Sequence, residues 1–260
     1  MTVYFIGAGP GDPDLITVRG RDLIARCPVC LYAGSLVPGS VVAYAPEGAR
    51  VIDTAPLSLH EIVAEFEAAH AAGLDVARVH SGDPSIYGAT AEQFAALRTR
   101  EIPFEIVPGV PAFAAAAARL GVELTVPEIA QTITLSRLAG RASSMPPAET
   151  LAAVAASRGT LVLHLAAKQL SRIVEELAPL YGADCPVALV ARATWPDEAI
   201  VRGTLADIVE KAAPLGVERT ALVIVGRALD GIGRATSALY AEDHGRHRKP
   251  GKTPIEDREV

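Results

Sequence analysis

Residues 3–15 read VYFIGAGPGDPDL and contain the start of a recognisable folding unit. A strand-like apolar run, Val3–Ile6, ends in a turn rich in glycine and proline. Apolar residues in Asp14–Arg26 then recur at the spacing of one helix face. A strand, a glycine loop and a helix in this order are typical of α/β proteins. The stretch therefore predicts an α/β fold, and its loop raises the question of whether it holds a phosphate.

The glycine loop fits both common phosphate-binding patterns poorly. The dinucleotide pattern G-x-G-x-x-G needs a third glycine where this chain has Asp12. Pro10 has no N–H to offer an anion, and no Lys-Ser or Lys-Thr pair follows as a P-loop requires. The loop therefore favours a neutral or cationic ligand, and a plain tight turn is the structural alternative.

The rest of the chain continues the alternation, which predicts parallel sheets. The predicted strands are Val3–Ile6, Val29–Tyr32, Val76–Val79, Phe104–Val107, Thr132–Leu135, Thr160–Leu165, Val187–Val190, Ile200–Arg202 and Ala221–Val225. The predicted helices are Asp14–Arg26, one from the Ser58 capping box to Gly73, Ala89–Arg100, Ala112–Leu120, Ala148–Ala156, Lys168–Leu180 and Leu205–Ala213. We expect strand, loop and strand over Cys27–Pro46. The pattern changes after LGVELTVPEIAQ (residues 120–131). We predict α/β domains over 1–113 and 114–232, with a mobile polar tail over 233–260.

Composition restricts the kinds of binding partner and the cellular compartment that fit this chain. The 260 residues carry a formal net charge of −6, which argues against a general nucleic-acid binder. The longest uncharged stretch, Cys27–Pro46, contains three prolines and would span a membrane poorly. We see no signal peptide, and three cysteines suit a reducing cytoplasm. Cys27 and Cys30 run into a strand rather than a helix, so packing is favoured over a redox or zinc role.

Four predicted strand ends carry loops rich in Gly, Pro, Ser and Asp, which read GAGPGD, YAGSL, HSGDPSIYG and PGVPA. Ligands of open α/β sheets bind beyond such strand ends, and small residues let the backbone approach them closely. Asp83 is the only carboxylate of its loop. It predicts an acceptor for a ribose or an ammonium group, or alternatively the N-cap of the next helix.

The second half offers other candidates. Arg137 and Arg141 lie four residues apart near a strand end, where two guanidiniums can bind carboxylates or lie in a solvated loop. Trp195, the only tryptophan, is either a stacking platform or a packing residue. We find no Ser-His-Asp set, no H-E-x-x-H motif and no metal-ligand cluster, so no metal is expected. This pattern suits chemistry in which a cofactor brings the reactive group.

Six motifs follow one another over about residues 2–230: VYFIGAGPGDPDLITVRG, LYAGSLV, HSGDPSIYGATAEQ, PGVPAFAAAAARLGVELTVPEIAQT, ARATWPDEAIVRGTL and RTALVIVG. Together they resemble the tetrapyrrole (corrin/porphyrin) methyltransferases. Within that family, YAGSLV, SGDPSIYGA and WPDEAIVRGTL are most similar to the precorrin-4 C(11)-methyltransferases. The tail lies outside the resemblance.

The resemblance implies the tetrapyrrole methylase fold, with two α/β domains, an active-site cleft between them and a homodimer. It implies that S-adenosyl-L-methionine lies folded in the cleft and leaves as S-adenosyl-L-homocysteine. The implied reaction methylates C-11 of precorrin-4, or of its cobalt complex, to give precorrin-5 in cobalamin biosynthesis. The sulfonium is cationic and the cofactor has no phosphate, which would account for the acidic loop. No catalytic side chain is implied, because the reduced macrocycle is itself a nucleophile.

Site residues carry over position by position. The resemblance implies cofactor contacts, mostly through the backbone, at Pro10, Ser81, Gly82, Asp83, Ile86, Pro111, Ala112, Leu165, Ala166, Ala193, Thr220 and Ala221. It implies substrate contacts at Ser35, Arg137, Arg141 and Trp195. Pro111 stands where the family commonly has Ser or Thr, so the resemblance does not extend to a hydroxyl contact there.

Alternatives remain at this point. The chain could act on another tetrapyrrole such as uroporphyrinogen III, or on a protein or RNA. A nucleotide-dependent oxidoreductase is disfavoured by the missing third glycine, and a non-catalytic tetrapyrrole-binding protein by the intact set of loops. RASSMP (141–146) favours the metal-free over the cobalt-containing substrate.

Overall fold

The computed structural model describes residues 1–139, 144–217 and 220–230. Within them the backbone forms ten strands in two five-stranded sheets, with eight α-helices and several short 3-10 turns. The expected α/β fold is thus confirmed. Arg141 and the tail over 233–260 lie outside the described residues. No helix of the described part is long and apolar enough to cross a bilayer.

The first sheet is entirely parallel and has the order β3-β2-β4-β1-β5. Its strands are β1 (Val3–Gly7), β2 (Val29–Tyr32), β3 (Arg50–Asp53), β4 (Val76–His80) and β5 (Phe104–Val107). Its helices are α1 (Val18–Ile24), α2 (Gly39–Val42), α3 (Leu59–Ala71) and α4 (Ala91–Thr99). Apolar residues of α1 and α2 cover one face, and those of α3 and α4 the other. The central strand β4 is consequently buried along its whole length.

The second sheet has the order β6-β7-β10-β8-β9 and is mixed. Its strands are β6 (Ile133–Arg137), β7 (Thr160–His164), β8 (Pro186–Ala191), β9 (Ala199–Thr204) and β10 (Ala221–Val225). Its helices are α5 (Ala112–Leu120), α6 (Leu151–Ala155), α7 (Leu170–Tyr181) and α8 (Ile208–Ala212). Helix α5 packs on one face and α6, α7 and α8 on the other.

The expectation of parallel sheets is wrong for most of the second sheet. Only β6 and β7 pair in parallel, whereas β10 pairs antiparallel with β7 and β8, and β8 with β9. The connection over 192–198 is too short for the crossover that a parallel pair requires. Strands β8 and β9 therefore form a hairpin.

Several predicted elements have the observed bounds, among them β2, β5, α5 and β10. The predicted capping box is present, since the Ser58 N–H donates to Glu61 Oε2 at 2.7 Å. The second strand expected within Cys27–Pro46 is wrong, because a 3-10 turn and α2 follow β2 there. Strand β3 was not predicted, since it is a mostly exposed edge strand without an apolar run.

Candidate active site

The loops after β1, β4 and β5 pack backbone against backbone. A Cβ at Gly109 would lie 2.1 Å from the Gly82 oxygen, and one at Gly7 would lie 2.6 Å from the Gly109 Cα. Gly9 and Gly82 exchange hydrogen bonds of 3.3 Å and 2.7 Å. A side chain at Gly7 or Gly109 would separate these loops. The closest neighbours of both glycines are thus other loops of the protein, and their small size allows the loops to meet.

Asp83 connects two of these loops. Its Oδ2 accepts from the Gly109 N–H at 2.9 Å, and its Oδ1 accepts from the Ser85 N–H at 2.8 Å and from the Ser85 hydroxyl. Partial burial raises the pKa of Asp83, but these hydrogen bonds outweigh it and hold the pKa below its ordinary value. The alternative of an N-cap for the next helix is wrong, because α4 begins at Ala91 with Thr90 as its N-cap.

Residues from both sheets meet around a cavity of about 130 Å³. Its lining residues are Pro10, Leu36, Ser81, Ala112, His164, Leu165, Val190, Arg192, Ala193, Thr220, Ala221 and Leu222. We call this space the cleft cavity. Seven predicted cofactor-contact positions are among its lining residues: Pro10, Ser81, Ala112, Leu165, Ala193, Thr220 and Ala221. The others, Gly82, Asp83, Ile86, Pro111 and Ala166, lie beside these positions or in the same loops.

Strand ends of the second sheet reach the cleft cavity with strained backbone. Leu165, Arg192 and Thr220 have φ of 54°, 48° and 53°, in the left-handed region that favours glycine. The Arg192 N–H donates to the Thr220 oxygen at 2.8 Å, which joins two of these strand ends. Such conformations cost about 1–3 kcal/mol each and cluster at ligand sites. Three of the nine non-glycine residues with positive φ in the described part of the chain thus line this cavity.

The chemistry of the lining fits a ligand without phosphate. Most lining side chains are small or apolar, and Arg192 is the one Arg or Lys among the described lining residues. Its Nε donates to Asp197 Oδ1 at 2.5 Å, and its guanidinium carbon lies 4.2 Å from the centre of the Trp195 ring. This cation is already neutralised and stacked. The cavity therefore suits a neutral or cationic molecule with apolar surface.

Trp195 joins the β8–β9 connection to the first loop of the chain. Its indole N–H donates to the Pro10 oxygen at 2.8 Å, and a Cβ at Gly11 would lie 2.3 Å from its ring. Thr194 Oγ1 accepts from the Asp12 N–H at 2.9 Å. These contacts establish a packing role for Trp195, which does not line the cleft cavity. Its contact with substrate stays a prediction.

Arg137 lies at the edge of the cleft cavity, because it ends β6 opposite the cavity residue His164 of β7. Its guanidinium donates to the Ser144 oxygen at 2.8 Å and to the Leu138 oxygen at 3.3 Å. Burial raises the pKa of Tyr87, and the charge of Arg137 opposes that rise. Arg137 is thus near the cleft, where it also holds the backbone of its own loop.

The two remaining predicted substrate residues are Ser35 and Arg141. Ser35 lies in the 3-10 turn Gly34–Leu36, which contributes Leu36 to the cleft cavity, but its side chain is outside the described part. Arg141 is outside it altogether.

His164 is a site residue that the sequence analysis missed. Its Nε2 is buried without a hydrogen-bond partner in the described part of the chain, and its ring centre lies 4.9 Å from that of Tyr87. Burial lowers the pKa of His164 to about 4, so the imidazole is neutral at pH 7. The one available signal was a histidine ending the apolar run TLVLH.

His80, next to Ser81 of the cleft cavity, is 3% exposed, and its Nε2 likewise has no partner among the described residues. Burial, and then the charge of Arg78, lower the pKa of His80 to about 3 from 6.5. As the pH falls below 6.5, the unfolded chain takes up the proton first, so the free energy of unfolding falls.

We expect His80→Gln to remove this pH dependence. Between about pH 7.5 and about pH 5, the wild-type free energy of unfolding should fall about 2 kcal/mol more than that of the variant. Urea unfolding at several pH values measures the difference. His164 is present in both proteins, so its contribution to the pH dependence cancels in the comparison. Equal slopes would show that His80 protonates normally in the folded protein.

The cysteines are packing residues. Cys27 and Cys30 are buried free thiols, and burial raises their pKa values to about 12 and about 11. Thiols with raised pKa values are weak nucleophiles, so the packing interpretation is favoured over the redox one. Within the described residues, no group of three or more His, Cys, Asp or Glu side chains is placed to hold a metal ion.

Comparison with known proteins gives consistent results. The family model of the tetrapyrrole (corrin/porphyrin) methylases matches residues 2–209. A precorrin-4 C(11)-methyltransferase of Sinorhizobium sp is 59% identical over 240 residues, which cover 92% of this chain and 95% of the relative.

Solved structures agree in fold. The X-ray structure of a cobalt precorrin-4 methyltransferase superposes with a TM-score of 0.85 at 41% identity, covering 88% of this chain and 96% of that one. A uroporphyrin-III C-methyl transferase from Thermus thermophilus, complexed with S-adenyl homocysteine, gives a TM-score of 0.72 at 28% identity, covering 89% and 100%. The resemblance of the sequence motifs is thereby confirmed, and the chain belongs to the tetrapyrrole (corrin/porphyrin) methylases.

Proposed function

We propose that this chain is an S-adenosyl-L-methionine-dependent methyltransferase that methylates C-11 of precorrin-4 to give precorrin-5 in cobalamin biosynthesis. The observation that carries the proposal is the cleft cavity, where seven predicted cofactor-contact positions meet from both sheets. Sequence identity supports the choice of substrate. The chain is 59% identical to a precorrin-4 C(11)-methyltransferase but 28% identical to a uroporphyrin-III C-methyl transferase.

The cofactor, when bound, supplies an electrophilic methyl group on its sulfonium. Small residues such as Ala112, Ala193 and Ala221 let the protein backbone approach it closely. Pro10, which is buried, and Leu165, which is 70% exposed, contribute apolar surface to the lining. The chain thus accelerates transfer by aligning the carbon, methyl and sulfur atoms rather than by supplying a base.

Isothermal titration with S-adenosyl-L-homocysteine tests the cofactor site. We expect micromolar binding at about one site per chain, and its loss in Ala193→Leu, which fills the cavity. Ala152→Leu on the exposed face of α6 is the matched control and should bind like the wild type. Absence of binding to the folded wild type would contradict the proposal, and a thermal shift with NAD(P) would then favour the oxidoreductase alternative.

We propose that Arg137 and Arg141 bind carboxylates of the substrate. Changing both to alanine is expected to raise the apparent dissociation constant of precorrin-4 at least about tenfold, because a charged hydrogen bond contributes about 1–3 kcal/mol. Titration with enzymatically prepared precorrin-4 measures this. Arg172→Ala, which removes an equal exposed charge from α7, is the control. Unchanged precorrin-4 binding in the double variant would assign Arg137 to loop structure alone.

We propose metal-free precorrin-4 as the natural substrate. Support comes from 59% identity to a precorrin-4 enzyme against 41% and 44% to two cobalt precorrin-4 enzymes. Parallel assays with precorrin-4 and its cobalt complex test the choice. Faster turnover of the cobalt complex would reverse it.

We propose that the enzyme acts as a homodimer in the cytoplasm, without nucleic-acid or membrane partners. Its three described cysteines are free thiols, which suits a reducing compartment.

We also propose domains over 1–113 and 114–232, supported by the packing of α5 on the second sheet. Light scattering after gel filtration should give twice the chain mass, and limited proteolysis should cut near the boundary first.

A further inference from the structure

A second cavity of about 430 Å³ lies where β4 meets helices α3 and α4. Its lining residues are Ala33, Thr54, Ala55, Leu59, Ile62, Arg78, His80, Gly88, Ala89, Glu92 and Gln93. We call it the Arg78 cavity. No residue of this lining was among the predicted site residues.

Arg78 is a buried cation that has no anionic partner among the described residues. Its side chain is 4% exposed, its Nε donates to Gln93 Oε1 at 3.1 Å, and its Nη1 has no hydrogen-bond partner among the described residues. Nor does it form an ion pair with any described carboxylate within 4 Å. Removing a guanidinium from water without pairing it is costly. An anion that enters the cavity would offset that cost.

His80 adds a second unpartnered nitrogen. Arg78 and His80 are two residues apart on β4, so both side chains project from the same face of the sheet. Like Arg78 Nη1, His80 Nε2 is buried and has no hydrogen-bond partner in the part of the chain that the structure describes. Two orphaned polar groups lining one cavity indicate a ligand with acceptor oxygens.

The Arg78 cavity is open to solvent at its rim. Leu59 at its rim is 44% exposed, and Ala55 and Glu92 are exposed as well. His80 lines the Arg78 cavity, and the next residue, Ser81, lines the cleft cavity. Each cavity thus includes a residue at the carboxyl end of β4, and we expect a ligand as large as a tetrapyrrole to span that distance.

We propose that the Arg78 cavity binds one carboxylate side chain of the tetrapyrrole substrate, with Arg78 and His80 as the groups that hold the carboxylate. This inference rests on the proposed function, which supplies a substrate with several acetate and propionate arms. A planar guanidinium suits a carboxylate, and Leu59, Ile62 and Ala89 provide apolar walls for its methylene groups. Glu92 also lines the cavity, and its negative charge would repel a bound carboxylate.

The test uses uroporphyrin I, a stable porphyrin with a carboxylate on every side chain, and follows its fluorescence as the full-length protein is added. Arg78→Met is expected to weaken porphyrin binding at least about tenfold. Arg98→Met, which removes an exposed charge of α4 outside the cavity, should change it less than about twofold, and Glu92→Gln should tighten it. Equal porphyrin affinity of Arg78→Met, Arg98→Met and wild type would overturn the proposal.

Two further measurements keep the test decisive. Ala55→Glu leaves Arg78 in place and puts a carboxylate at the exposed rim, so it should weaken porphyrin binding even if Arg78→Met fails to fold. Tricarballylate should compete only weakly, and competition as strong as that of the porphyrin would assign the cavity to a small free carboxylate instead.

S-adenosyl-L-homocysteine titration separates the two proposals. If S-adenosyl-L-homocysteine binds wild type and Arg78→Met alike while porphyrin binding falls, the cavity proposal is supported. If S-adenosyl-L-homocysteine binds and neither Arg78→Met nor Ala55→Glu changes porphyrin affinity, the cavity proposal alone is wrong. If the wild type does not bind S-adenosyl-L-homocysteine, yet its porphyrin affinity still depends on Arg78, the methyltransferase proposal alone is wrong.

Discussion

Replacing Gly109 with alanine is expected to lower the free energy of unfolding by about 3 kcal/mol and to abolish cofactor binding. The added Cβ would lie 2.1 Å from the Gly82 oxygen and 2.7 Å from the Gly7 Cα. These contacts are with backbone, so no side chain can rotate away, and the loops after β1 and β4 must separate. The Gly109 N–H that donates to Asp83 would move with them.

Urea unfolding and titration with S-adenosyl-L-homocysteine measure both effects. Gly39→Ala is the matched control, because a Cβ at Gly39 meets nothing within 4 Å and its backbone is helical. We expect that control to lie within about 0.5 kcal/mol of the wild type. A Gly109→Ala protein as stable as the control would show that the three loops do not pack as described.

Replacing Trp195 with alanine is expected to cost roughly 2–3 kcal/mol, somewhat less than for a fully buried tryptophan. The change empties the space beside Gly11 and leaves the Pro10 oxygen without its indole donor. Because Pro10 lines the cleft cavity, the affinity for S-adenosyl-L-homocysteine should also fall, by about tenfold.

Trp195→Phe separates the contributions, since it keeps a ring against Gly11 and loses only the hydrogen bond, at about 1 kcal/mol. Thermal and urea unfolding give the stabilities, and calorimetry gives the cofactor affinity. If Trp195→Ala keeps its stability and its affinity for S-adenosyl-L-homocysteine but loses precorrin-4, then Trp195 acts on the substrate and not as a connection between loops.

The sequence predicted what short-range pattern and motif order determine. Strands such as β2 and β10 are apolar runs with clear ends, and the capping box at Ser58 is a local signal. The motif resemblance then identified seven positions that the fold brings to one cavity, including Pro10 and Thr220, which are far apart in the chain.

What the sequence could not predict depends on long-range packing. The pairing of β10 with β7 and β8 makes the second sheet mixed, and no local pattern encodes it. Glycines interpreted as places of close approach to a ligand prove to contact other loops, as Gly109 does. Arg78 and His164 became candidates only because the fold buries nitrogens of both side chains without a partner among the described residues.

The central claim is that this chain moves a methyl group from S-adenosyl-L-methionine to C-11 of precorrin-4. The most direct measurement is incubation of the purified protein with precorrin-4 and S-adenosyl-L-methionine carrying a ¹³C-labelled methyl group, followed by NMR of the product. We predict one labelled methyl group per macrocycle, attached at C-11, and its absence with Gly109→Ala. A label at another ring position, or no label from protein that binds S-adenosyl-L-homocysteine, would contradict the account.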